Sequence, residues 1–152
     1  VDQLISVKYK IVSDVFEQYY LPSYATNGAA GMDLHACIAA RMEIAPGQRL
    51  RIPVGIALQM PGPHVVGFVY ARSGLAWKYG LGLPNGVGVI DSDYTGEIQV
   101  LLMNFSDVPV IIEPGDRVAQ IVFAPIYIAT MLPVDELQDT DRGSGGFGST
   151  GI

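Results

Sequence analysis

Arg142-Gly143-Ser144-Gly145-Gly146-Phe147-Gly148-Ser149-Thr150-Gly151, near the C-terminus, combines residue types suited to holding an anion. Glycines let successive backbone amides converge, Ser149 and Thr150 add hydroxyl donors, and Arg142 adds a planar fork that matches phosphate. The same composition also suits a solvated Gly/Ser tail. Two familiar phosphate motifs fail here. Gly143, Gly145 and Gly148 satisfy G-x-G-x-x-G, but the few residues after them leave no room for the helix of a dinucleotide fold. Gly143 and Gly148 also have Walker spacing, yet Ser149 stands where the lysine should be. What remains is a phosphate-gripping flap with one aromatic, Phe147, that could stack on a base.

Four further segments carry candidate chemistry. In Ala71-Arg72-Ser73-Gly74-Leu75 a strand gives way to a short helix, whose first amides could receive a phosphate beside Arg72. An ordinary N-cap at Ser73 with a surface arginine explains the same residues. Pro84 to Glu97 holds Asn85-Gly86, a tight-hairpin signal, and Gly88, which implies a close approach to the backbone. Asp91 follows an uncharged run, so a partly enclosed carboxylate able to act as a general base is expected. Asp91 and Asp93 would share a strand face, but Ser92-Asp93 equally makes a turn, and no His or Cys completes a metal set. Gln120, after Pro114-Gly115-Asp116-Arg117, interrupts an apolar strand as either a satisfied core amide or a ligand contact. Gly31-Met32-Asp33 leads small residues to one carboxylate. His35 and His64 read as structural, and Cys37 as a buried thiol.

Short β-type runs must position these groups. They cover Leu4–Val12, Met32–Ile38, Arg49–Ile52, Gly55–Met60, Val65–Tyr70, Ile98–Asn104, Val108–Ile112 and Val118–Phe123, separated by Pro-Gly and Asn-Gly turns. One helix is expected, from Ser73 to Tyr79. Many short strands indicate an all-β sandwich, jelly roll or barrel. Residues 1–138 form the expected β domain, and 139–152 a mobile tail with almost no apolar content except Phe147.

Composition sets the outer limits. The chain has 152 residues, 49% hydrophobic and 16% charged, which fits one domain with a core and excludes an extended disordered chain. A formal net charge of −6 without a basic cluster argues against binding long nucleic acids. It would also repel a polyanionic ligand unless arginines, backbone amides or a metal compensate locally. The long uncharged stretches are broken by prolines and read as strand pairs, so no membrane span is expected. The first ten residues lack the apolar core of a secretory leader, and a single cysteine rules out an internal disulfide. An intracellular location, cytoplasmic or nuclear, is the expectation.

In this order and spacing, the five segments resemble the trimeric all-β dUTP pyrophosphatase (dUTPase) family from Pro22 to Gly151. The resemblance implies a jelly-roll subunit, a homotrimer with shared active sites, and hydrolysis of dUTP to dUMP and pyrophosphate. One subunit would supply the Asp33, Arg72 and Gln120 segments, a second the Asn85–Tyr94 hairpin, and a third the tail. By resemblance, Asn85 and the backbone at Val89 and Ile90 would read uracil, with Gln99 adding a backbone contact. Tyr94 would pack under the deoxyribose, and Asp91 would orient and deprotonate the attacking water. Arg72, Ser73, Gly74 and Gln120 would hold the phosphate chain. Phe147 would stack on uracil as the tail closes, Gly148 would also bind the substrate, and Arg142, Ser149 and Thr150 would bind the terminal phosphates. Mg²⁺ would travel with the triphosphate and touch Asp33 through water. Ala71 stands where the family commonly has proline, and Met32 where it often has an aromatic or smaller residue. A dCTP deaminase of the same fold is one alternative, set apart by the aromatic-bearing tail. A nucleotide-sensing or interaction module is another, expected to have lost Asp91 or the tail.

Overall fold

A computed structural model describes residues 4–151; residues 1–3, part of the leader reading, and 152, the last of the expected tail, lie outside the described residues. The described residues form ten strands, one short 3₁₀ turn and one α-helix. The strands are β1 (Lys8–Ile11), β2 (Met32–His35), β3 (Met42–Ile44), β4 (Arg49–Gln59), β5 (Val65–Tyr70), β6 (Leu81–Gly82), β7 (Gly88–Ile90), β8 (Glu97–Asn104), β9 (Val110–Ile112) and β10 (Arg117–Pro125); the helix is α1 (Ser73–Tyr79). They assemble as two four-stranded sheets, β1-β4-β8-β6 and β2-β10-β5-β7, with a two-stranded β3-β9 ribbon. The result is a jelly-roll-like sandwich rather than a closed barrel.

Alternation explains the layering. Along β8, Ile98, Val100, Leu102 and Asn104 are buried, and the residues between them are more exposed. Ile52, Val54 and Ile56 of β4 and Leu34, Val69 and Ile121 of the facing sheet complete the core. Burying each such side chain contributes roughly 1.5–3 kcal/mol. Among the described residues, Asn104 is the one fully buried polar residue of this core. Its amide donates to the carbonyls of Ile44 (2.9 Å) and Val108 (2.7 Å), and its Oδ1 accepts from the Ser106 N–H (2.9 Å) and hydroxyl (2.7 Å). Every polar position is therefore satisfied, and the ends of β3 and β8 are tied together.

Two expected strands, Arg49–Ile52 and Gly55–Met60, are one bent strand, β4. Its pairing with β8 shifts register between Pro53 and Ala57. Proline has no ladder N–H, and Gly55 takes a left-handed φ of 81°. A Cβ at Gly55 would lie 2.6 Å from Cys37 Sγ, so this bulge is where the chain passes the buried thiol. Asn85-Gly86 does not close a two-stranded hairpin. Leu83-Pro84-Asn85-Gly86 forms a turn closed by Gly86 N–H to Leu83 C=O (3.0 Å), joining β6 of one sheet to β7 of the other.

Candidate active site

The first cluster forms where β2, β10 and β5 lie side by side. Gln120 of β10 is in register with Asp33 of β2 and with Tyr70 of β5. The Gln120 amide donates to the Ala71 carbonyl (3.0 Å), just past the end of β5. Its Oε1 sits where a side chain on Gly31 would be, 2.7 Å from that Cβ position, so a larger residue at 31 would displace the Gln120 amide. Gln120 thus ties the Gly31–Asp33 and Ala71–Arg72 segments together as a satisfied amide in this arrangement.

Asp33 forms ion pairs with Arg72 Nε at Oδ1 (3.1 Å) and with Arg117 NH1 at Oδ2 (3.5 Å). Arg72 NH1 also donates to the Arg117 carbonyl (3.2 Å). One carboxylate between two guanidinium groups leaves the cluster one positive charge, the sign a phosphate chain needs. Arg117 has no role assigned from sequence alone. Its signal is its place at the start of β10, in register with His35.

Arg72, with extended backbone (φ −101°, ψ 131°), takes the N-cap position, and Ser73 is the first helical residue instead of the cap. No side chain caps the helix, and its first intrahelical bond runs from Ala76 N–H to Arg72 C=O (3.1 Å). The amides of Ser73, Gly74 and Leu75 precede that bond and point out of the first turn. The helix ends at Gly80 in left-handed conformation (φ 66°, ψ 24°).

Behind this cluster lies an aromatic box. His35 stacks on Tyr20 (centroids 5.9 Å, planes 13° apart), and Tyr19 meets both edge-on. His35 Nδ1 is buried without a hydrogen-bond partner. Burial holds the His35 imidazole below its ordinary pKa, against the opposing pull of Asp33 and the Tyr20 carbonyl. Burial, reinforced by Tyr19, pushes the Tyr20 hydroxyl up to about 12.

The second cluster lies on β7 and the turn after it. Ile90 pairs with Gly67 and Val89 with Phe68 of β5. The close approach expected at Gly88 is made by Val69, 3.0 Å from where a Cβ would be. Tyr94 N–H donates to the Asp91 carbonyl (3.1 Å), so Ser92-Asp93 forms a turn and the two carboxylates do not share a strand face. Asp91 is exposed at the rim of a groove of about 640 Å³ lined by Gly62, Phe68, Val89, Asp91 and Asp93. The enclosure expected of it is therefore not supplied by its own chain. Tyr94 donates its hydroxyl to Glu97 C=O (2.7 Å), and its ring lies where a side chain on Gly96 would be. Asn85 is exposed, its amide 3.5 Å from the Val87 carbonyl. Gln99, outward-facing on β8 opposite Pro53, does not line the groove. A second cavity, about 810 Å³, is mostly apolar, lies between the sheets, and is lined by none of the charged or polar site residues.

The tail forms a third unit. Among the described residues, Gly143 N–H bonds Thr140 C=O (3.1 Å), Ser149 N–H bonds Gly146 C=O (3.1 Å), and Gly151 N–H bonds Gly148 C=O (2.9 Å). Arg142 Nε donates to Gly145 C=O (2.9 Å). Phe147, with φ 51°, is fully exposed. The tail is a run of turns bonded only within itself.

The fold is an all-β sandwich that carries a net-positive Asp33–Arg72–Arg117 cluster at one place and an exposed Asp91 beside a groove at another. The dUTPase family profile matches residues 17–151, and the chain belongs to that family. It is 54% identical over 132 residues to a deoxyuridine 5'-triphosphate nucleotidohydrolase of Desulfitobacterium hafniense, covering 87% of each chain. The crystal structure of dUTPase from Streptococcus mutans superposes with a TM-score of 0.71 at 33% identity, covering 81% of this chain and 98% of that one. A Staphylococcus bacteriophage 80alpha dUTPase with dUPNHPP shares the fold with a TM-score of 0.86 at 24% identity, over 97% and 99%.

Proposed function

We propose that this chain hydrolyses dUTP to dUMP and pyrophosphate, in active sites shared among the chains of a homotrimer. Family membership carries the reaction. Support for the shared site comes from β5. Ile90 lies opposite Gly67, so Asp91 falls beside Val66, whereas Arg72 lies two residues beyond Tyr70. At about 3.3 Å per residue, Asp91 and Arg72 stand roughly 20 Å apart along the strand. That is too far for a water held by Asp91 to attack a phosphate chain gripped by the same chain's Arg72. A site combining the two needs residues from different copies.

Apolar residues between β10 and the tail agree with such an assembly. Tyr127, Met131, Leu132 and Leu137 are almost fully exposed in the single chain, the kind of surface that a neighbouring subunit covers. The trimer also supplies the enclosure that Asp91 lacks.

In this reading, the backbone at Val89 and Ile90, with Asn85, takes the uracil. The pinned Tyr94 ring forms a floor for the deoxyribose with no space for a 2′-hydroxyl. Asp91 accepts a proton from the water that attacks the α-phosphorus, and pyrophosphate leaves. Ser73, Gly74 and Gln120 hold the phosphates beside Arg72, which Asp33 and the Arg117 carbonyl orient. Arg142, Ser149 and Thr150 of a third copy close on the terminal phosphates, and Phe147 and Gly148 cover the base. Shutting the tail excludes bulk water during the step.

Among the described residues, no group of three or more His, Cys, Asp and Glu could hold a metal ion. Mg²⁺ would instead arrive as Mg·dUTP, held by the phosphates, with Asp33 touching it through water. The ion would neutralise charge on the phosphates. No helix among the described residues is long and apolar enough to cross a membrane. The reading places the enzyme in an intracellular compartment, where its substrate is made.

The test is direct. Purified protein with Mg²⁺ should release pyrophosphate from dUTP and do so much more slowly from dCTP, dTTP and UTP. Ammonia release from dCTP, or no turnover of any of the four, would overturn the reading.

A further inference from the structure

We propose that the indole of Trp77 is a docking face for the tail of a second copy of this chain, with the Arg142 guanidinium stacked on it. The inference deepens the dUTPase reading above and rests on it. Trp77 is the only tryptophan in the sequence and is 90% exposed. The helix that carries it buries none of its residues, so packing does not account for a large aromatic there.

Position gives the indole a use. Trp77 follows Ser73 by four residues, so the two side chains leave one face of α1. A helical side chain leans over the turn on its N-terminal side, which here is the turn that begins beside Arg72. The indole therefore flanks the cationic cluster without belonging to it.

The tail supplies the matching group. Among the described residues, its hydrogen bonds stay within residues 140–151, and Arg142 and Phe147 are exposed. Among the described residues, no hydrogen bond joins it to its own body. A guanidinium stacked on an indole uses only the face of its plane. Its in-plane N–H groups remain free to fork a phosphate, so one arginine can bind ring and substrate at once. The occupant is the tail because it carries an exposed arginine and is the segment that must reach this helix in the shared site.

A double-mutant cycle on the full-length chain tests the docking separately from the reaction. Pyrophosphate release from dUTP by the unaltered protein tests the dUTPase reading alone. If docking holds, Trp77→Ala lowers kcat/KM about fivefold to tenfold, and Trp77→Phe stays within about threefold of the parent. In an Arg142→Ala background, Trp77→Ala should then change kcat/KM by less than about twofold. Adding Mg²⁺ and dUPNHPP should shift Trp77 emission in the parent and not in Arg142→Ala. An equal loss in both backgrounds, no loss in either, or unchanged emission in the parent would overturn the proposal.

Discussion

Oδ1 of Asp33 lies 3.1 Å from Nε of Arg72, and this ion pair joins β2 to the segment that leaves β5 for α1. The carboxylate acts on the arginine before any ligand arrives. With the Arg117 carbonyl, it fixes the direction of the guanidinium that the proposed site aims at phosphate. Substituting Asp33→Asn keeps the shape and removes the charge. At this partly exposed site we expect about a tenfold loss in kcat/KM, mainly through KM, from a charge-assisted bond worth about 1–1.5 kcal/mol. Steady-state kinetics beside a thermal melt that moves only slightly would check it.

Asp91→Asn should behave differently. A general base typically contributes about 10² to 10⁴ in rate, so kcat should fall by that factor while KM for dUTP stays nearly constant. Undiminished turnover would remove Asp91 from the mechanism even if the reaction stood.

Mixed oligomers test the sharing of sites. Asp91→Asn and Arg72→Ala chains, each weak alone, should regain activity when unfolded and refolded together. With random assembly, about a quarter of the sites receive both intact residues, so about a quarter of parental activity is expected. Failure to exceed the separate variants would mean that Asp91 and Arg72 act from one chain.

His35 makes stability depend on pH in mild acid. Its folded pKa is lowered, so above the unfolded value of about 6.5 both states are neutral and the fold is favoured. As pH falls from there through the folded pKa, the unfolded chain takes up the proton first and stability drops. Denaturation midpoints should decline as pH falls below about 6.5, and His35→Phe should flatten that decline. A slope unchanged by the substitution would locate the sensitive group elsewhere.

Gly55→Ala should destabilise the sandwich without touching either cluster. The left-handed φ of 81° penalises a side chain, and the new Cβ would lie 2.6 Å from Cys37 Sγ. Strain and overpacking together should cost about 2–4 kcal/mol, visible as a melt several degrees lower. A melt within a degree of the parent would contradict the backbone account.

Much of the fold is legible in the amino-acid sequence itself. Val65–Tyr70 and Ser73–Tyr79 carry strong local signals, and both elements form where those signals place them. The short strands β3, β6 and β7 give no comparable signal, because partners hold them and not their own patterns. Asn85-Gly86 signals a turn, but local residues cannot say that the strands on either side belong to different sheets. The uncharged neighbours of Asp91 in sequence suggest an enclosed carboxylate. Its exposure follows from β7 being an edge strand, which only pairing reveals. Arg117 escapes notice in the sequence because its partners, Asp33 and Arg72, come from distant segments.

Strand β5 has a mechanical consequence. It pairs along one side with β7, which carries Val89 and Ile90, and runs into Arg72 at its end, with regular pairing throughout and no hinge between them. A strand in the middle of a sheet works as a fixed ruler. In the proposed shared site the body would have little to rearrange during turnover, and the timing of each cycle would fall to the tail, which would break its own turns to close and remake them to let product go.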